Sequence, residues 1–260
     1  MRKILILVLL TVSATAAQKS ALPLAVGNRW EYSVTENGVM SVGEGDMSHS
    51  MEMASEGTCV EEVLSIKERR KDGIVFEYRS VTKVEAGLNT PASEAIDDIH
   101  MLVSNKGIST IASKSSGLDG VLSDEWVEYD PPLILFGAGL KPGSKWKIGV
   151  VRDGNLRMPM EAVVAGTETV TVPAGTFENC LKIYVTCKKV TGTMGSGKDL
   201  ATIRGGKSVN TVWVASGVGV VKEETILQAK MQFAVGGPPM TGTQRKVKEL
   251  LPGYRAEKGD

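Results

Sequence analysis

Two segments in the second half of this chain constrain its fold more than any other feature. Thr169-Val170-Thr171-Val172-Pro173-Ala174-Gly175-Thr176-Phe177-Glu178-Asn179-Cys180-Leu181 and Val212-Trp213-Val214-Ala215-Ser216-Gly217-Val218-Gly219-Val220-Val221-Lys222 each place a Pro, Gly or Ser cluster between two β-favouring runs. That is the pattern of strands joined by a tight turn, and it predicts antiparallel hairpins. Pro173 has no backbone donor and ends a strand, Gly175 takes a turn conformation that other residues resist, and Phe177 returns to the core. Gly217 and Gly219 allow a second sharp reversal after Trp213.

The rest of the chain reads in the same way. Trp30, Tyr32 and Val34 alternate with polar neighbours, as on a strand with an aromatic face. Val60 to Lys67 and Ile74 to Val84 form a second predicted hairpin. Met101 to Ser104 and Ile108 to Ile111 flank a turn at Asn105-Lys106-Gly107, and Trp146 to Val151 pairs with Met160 to Ala165. Pro131-Pro132 is read as a strand end, and Gln244 to Leu250 as the last strand. Met40 to Gly57 lacks clean periodicity and is read as a long loop or irregular hairpin. Pro91 to His100 carries a short helix signal with Ser93 as its cap. The expected class is all-β or β-dominated. It is a curved antiparallel sheet of hairpins, open or half-closed into a barrel, built of about a dozen short strands with at most one or two short helices. Trp30, Pro173, Gly175, Phe177, Trp213, Gly217 and Gly219 are expected to be structural turn and core positions.

Arg2 and Lys3, an apolar run from Ile4 to Val12, and Ala14-Thr15-Ala16 have the layout of a secretory signal peptide over residues 1–17. The apolar run is too short for a membrane-spanning helix, which needs about 20 residues. A single β-rich domain over 22–251 and a flexible tail over 252–260 are expected, in the periplasm or outside the cell, with no transmembrane segment after cleavage. Lys and Arg total 30 and Asp and Glu total 30, so nothing draws the chain to nucleic acid or an anionic surface. Of the three cysteines, Cys187 shares the apolar parity of its strand while Cys180 does not. A Cys59–Cys187 disulfide is one expectation for an oxidising compartment, and three buried reduced thiols are the other.

Three pieces taken together, Leu22-Pro23-Leu24-Ala25-Val26-Gly27-Asn28-Arg29-Trp30-Glu31-Tyr32, Val172 to Lys182 and Trp213 to Lys222, resemble the TapB-like group of exported bacterial proteins of unknown function. The resemblance implies a curved antiparallel sheet, open or half-closed, and no established activity. It supplies no catalytic residues.

Candidate chemistry is sparse. Gly192 to Asp199 has the glycine and lysine spacing of a phosphate loop, but Asp199 stands where a hydroxyl must reach magnesium, and no helix signal follows. Asp97, Asp98 and His100 fall on what reads as a surface turn, without a visible third partner. Glu61 with Glu62, and Glu223 with Glu224, are adjacent on strands, so each pair splits between faces and is read as solvated. Met47, His49, Met51 and Met53 alternate, which in an extended chain puts three thioethers and an imidazole on one face, a donor set suited to Cu(I). The expectation is therefore a non-enzymatic exported domain without a cofactor, binding an apolar ligand or a protein partner on the concave sheet face. The alternatives are a structural or assembly factor of the cell envelope and a periplasmic copper-binding protein using the Met-rich segment.

Overall fold

A computed structural model describes residues 21–43, 49–116, 124–153, 155–194, 201–233 and 236–257. The expected signal peptide and Met47 lie outside these residues. Thirteen strands follow in chain order: β1 (Arg29–Val42), β2 (His49–Arg70), β3 (Gly73–Val84), β4 (Ser93–Ser104), β5 (Gly107–Ser115), β6 (Val127–Gly137), β7 (Lys145–Asp153), β8 (Leu156–Val172), β9 (Gly175–Cys187), β10 (Gly192–Met194), β11 (Ala201–Ala215), β12 (Gly219–Phe233) and β13 (Met240–Leu250). Among the described residues there is no helix.

Twelve strands form one antiparallel path, β6-β5-β4-β3-β2-β1-β13-β12-β11-β9-β8-β7, and β10 adds to β11. The sheet curls until its two edge strands, β6 and β7, face each other across a seam without a backbone ladder, so it is a nearly closed barrel. Side chains close much of the seam. Trp146 Nε1 donates to the Ile134 carbonyl at 2.9 Å and the Tyr129 hydroxyl to the Arg152 carbonyl at 3.4 Å. Tyr129 and Leu133 pack with Ile148, Ala162 and Val164. Pro131-Pro132 lies within β6 instead of ending it, which an edge strand tolerates because its outer backbone groups need no partner.

The paired hairpins stand where the turn chemistry puts them. Val172 is opposite Gly175, and Ala215 is opposite Gly219. Gly219 has φ +104°, and a Cβ there would lie 2.9 Å from Leu22 Cδ1 and 3.5 Å from Trp30 Nε1. This close approach seats the completely buried Trp30, whose Nε1 donates to the Val218 carbonyl at 2.7 Å. Trp30, Tyr32 and Val34 point inward with Val63, Val221 and Leu250, forming the larger core cluster. Trp213 is buried and Phe177 packs against Tyr254.

Several expectations are corrected. Residues 93–104, read partly as a helix, are strand β4, paired with β3 from Val84↔Ser93 to Gly73↔Ser104. A one-turn helix cannot compete with a full ladder of backbone partners. Of the two readings of 40–57, a long loop or an irregular hairpin, the hairpin holds for the described residues, which continue the β1–β2 pair with Val42 opposite His49. The strands are not uniformly short, since β2 alone has 22 residues. The tail is tied down as far as Glu257: Arg29 and Arg255 exchange backbone bonds of 2.8 Å, and the buried Asn28 side chain bonds the Glu257 backbone on both sides. No Cys59–Cys187 bridge forms. All three cysteines are buried and free, Cys59 in the Trp30 cluster and Cys187 beside Val190 and Ile203.

Candidate functional site

The barrel interior changes character along its length. Residues paired across strands share a face, so the inward side can be followed row by row from the register. Past the apolar floor, Lys248 lies opposite both Val34 and Glu223. Its ammonium contacts Glu61, lies 3.3 Å from Glu223 Oε2, and sits 4.5 Å from the centre of the Tyr32 ring. The Tyr78 hydroxyl donates to the other Glu61 oxygen, and Asn210 Nδ2 donates to Glu223 at 2.6 Å. Burial alone would lower the Lys248 pKa, but Glu61 and Glu223 outweigh it and hold the ammonium well above its ordinary value. Burial would raise Glu223, yet Lys248 and Asn210 bring it below the usual carboxylate range. Burial, reinforced by Glu61, pushes the Tyr32 and Tyr78 phenols well up.

Glu61 and Glu223, expected on solvated faces, are therefore brought together from β2 and β12 by a lysine of β13. The centre is one ammonium shared by two hydrogen-bonded carboxylates, and not an acid–base pair. A lysine held this firmly protonated is no nucleophile near neutral pH, and its carboxylates are already occupied.

A second polar cluster lies on the outer wall. Asp97 splits from Asp98 and His100 because adjacent strand residues face opposite ways. Arg79 grips Asp98 through bonds of 2.6 and 2.9 Å, and Lys114 stands 3.6 Å away. The Arg79 hydrogen bonds, aided by Lys114, lower the Asp98 pKa against its partial burial. His100 is buried beneath Trp126, with ring centres 3.8 Å apart, and Lys67 Nζ donates to its Nε2 at 3.1 Å. Burial first, and Lys67 second, lower the His100 pKa. His100 is thus a neutral packing residue with its ring proton on Nδ1, not the acid or base of an open site.

The phosphate-loop spacing carries no nucleotide geometry. Gly192–Met194 is strand β10, residues 195–200 lie outside the described residues, and the next element, β11, is a strand with no helix N-terminus to hold phosphates. His49, Met51 and Met53 share the inward face of β2 at its rim, and Met47 lies outside the described residues.

A concavity missed in the sequence opens at the end of the barrel where Trp30 lies. The β4–β5 turn, the end of β6 and the residues after it, the middle of β9, and the end of β11 with its following turn leave a cleft of about 480 Å³ between the two larger core clusters. Val103, Ile108, Phe136, Leu140, Leu181 and Val214 supply its apolar wall, and Ser104, Asn179 and Ser216 its polar atoms. Among the described residues no charged side chain lines it. Gly107, with φ +117°, lets the β4–β5 turn come so close to β6 that a Cβ would overlap the Phe136 carbonyl. Its lining comes from separate segments, and no local motif signals it.

Residues 151–231 match a family model described as DUF3108-like. That stretch contains both hairpin motifs, and a TapB-like affiliation finds no support in it. A crystal structure described as a "putative lipoprotein" from Parabacteroides distasonis ATCC 8503 aligns over 89% of this chain and 98% of that one, at 14% identity and a TM-score of 0.36. No curated protein matches.

Proposed function

We propose that this protein is an exported, non-enzymatic binding domain that takes an apolar, uncharged ligand into the cleft at the Trp30 end of the barrel. The observation that carries the reading is the cleft's volume combined with a lining free of charge. Ligand sites of about 300–1,000 Å³ with mostly apolar walls and a few convergent polar groups are the usual form of small-molecule pockets. Moving apolar ligand surface out of water contributes about 25 cal/mol per Å², and no carboxylate or ammonium must be desolvated as the ligand enters. Ser104, Asn179 and Ser216 provide neutral hydrogen-bonding groups for an ester, amide or hydroxyl at the mouth.

The test is titration with the fluorescent apolar probe N-phenylnaphthylamine, alongside lipid extraction and mass spectrometry of protein purified from its own host. Ala138 lines the cleft and is exposed, so Ala138→Trp fills the mouth without disturbing the core. Saturable binding that falls about tenfold in Ala138→Trp supports the site. Absence of both probe binding and a copurifying apolar molecule removes it.

A further inference from the structure

At the opposite end of the barrel a different chemistry collects. Met40 lies ten residues beyond Trp30 on β1, or about 30 Å along an extended strand, so this region is separate from the cleft. Met40 is directly opposite Met51 on β2, with Met53 opposite Gly38 and His49 opposite Val42. These residues share the concave face. Side chains opposite one another in an antiparallel pair stand about 5 Å apart at Cβ, and diagonal neighbours about 7 Å. Met40 is therefore central, with Met51 facing it and Met53 and His49 on the two diagonals. Met53 lies across the bare backbone of Gly38, since a Cβ on that glycine would be 3.2 Å from Met53 Cε. Gly242, on the other flank of Met40, has no heavy atom within 4 Å of where its Cβ would be. The side chains consequently have room to converge.

We infer that Met40, Met51, Met53 and His49 form a binding site for a soft monovalent metal ion, Cu(I). Thioether sulfur with imidazole selects Cu(I), whereas carboxylates and carbonyls suit magnesium, calcium and manganese. Among the described residues no carboxylate shares the inward face of β1, β2 or β13 beside these residues until Glu36, and that group is paired with Lys246 at 3.1 Å. The donors are open to solvent: Met51 is 42% exposed, His49 is exposed, and Met40 and Met53 are half-buried. Methionines that served only as core filler would be covered. Met40 is the donor that the sequence pattern omits, because it belongs to the other strand of the hairpin.

The experiment is competition for Cu(I), supplied as its acetonitrile complex, against bicinchoninate under anaerobic conditions, followed by loss of the chelate's absorbance. The wild type should withdraw one equivalent. Met40→Leu and Met51→Leu, near volume-conserving changes that keep the fold, should each weaken binding by at least about tenfold. That is the lower bound expected for a ligand, given that supporting residues around metal sites already cost 10–100-fold. Met158→Leu, on β8, should change nothing. Failure to withdraw Cu(I) from the chelator would overturn the site. Full affinity in Met40→Leu would overturn it too, by placing the metal away from this face.

Discussion

The interior network predicts a measurable and pH-dependent dependence on Lys248. In Lys248→Met the ammonium vanishes while Glu61 and Glu223 remain inside the barrel, with side-chain exposures of 13% and 27%. Removing one partner of a buried ion pair costs about 3–5 kcal/mol because the other charge is left uncompensated. Here the lower end applies, since Glu61 keeps the Tyr78 hydroxyl and Glu223 keeps Asn210. For a domain of this size about 3 kcal/mol corresponds to a fall in melting temperature of about 6–12 °C. The pH dependence follows from the shifts. Glu223 is depressed in the folded protein, so its stabilising contribution is present above the unfolded carboxylate value and is lost as pH falls through the lower folded value. Lys248 is raised, so its contribution is present throughout the acidic and neutral range and fades only as pH rises past the ordinary lysine value. The gap between wild type and variant in urea unfolding should be full at pH 7 and shrink as pH falls below the ordinary carboxylate value of about 4 and through the lower folded value of Glu223. Glu61→Gln in the Lys248→Met background should recover part of the loss. A gap below about 1 kcal/mol at pH 7, the value of an exposed pair, or one unchanged down to pH 3, would refute the buried-network account.

Two further perturbations separate other parts of the structure. His100 is depressed on folding, so the unfolded chain binds its proton first and stability should decline as pH drops below about 6.5. The decline should be absent in His100→Gln, with Trp126 fluorescence as the local reporter, and an equal decline in that variant would place the effect elsewhere. Gly143→Ala and Gly219→Ala both impose positive φ on a side chain, at +86° and +104°, but only the second drives a Cβ toward Leu22 and Trp30. Urea midpoints should show a loss of about 1 kcal/mol for the first and 2–3 kcal/mol for the second; equal losses would mean that Trp30 is not held by this close approach.

What could be read before folding, and what could not, divides along the range of the interactions. Val172-Pro173-Ala174-Gly175 and Ser216-Gly217-Val218-Gly219 act within a few residues, and their turns stand as their chemistry requires. Alternation likewise put Trp30, Tyr32 and Val34 on one buried face. Asp98 and His100 were misread because outward polarity on a strand was taken for a solvated turn, while Trp126, Lys67 and Lys114 from other segments cover that wall. The polar centre needs more than face and parity. Glu61 meets Lys248 only because the first and last strands, β1 and β13, pair with Tyr32 opposite Leu250. A one-residue slip in that register would move Lys248 to the outer face and leave both glutamates inside without a counter-charge. The centre therefore disfavours misregister at the closure of the sheet, where no short turn fixes the pairing. On this argument the lysine and its two carboxylates select the correct barrel as well as stabilise it, which accounts for a charged triad directly beyond the apolar floor.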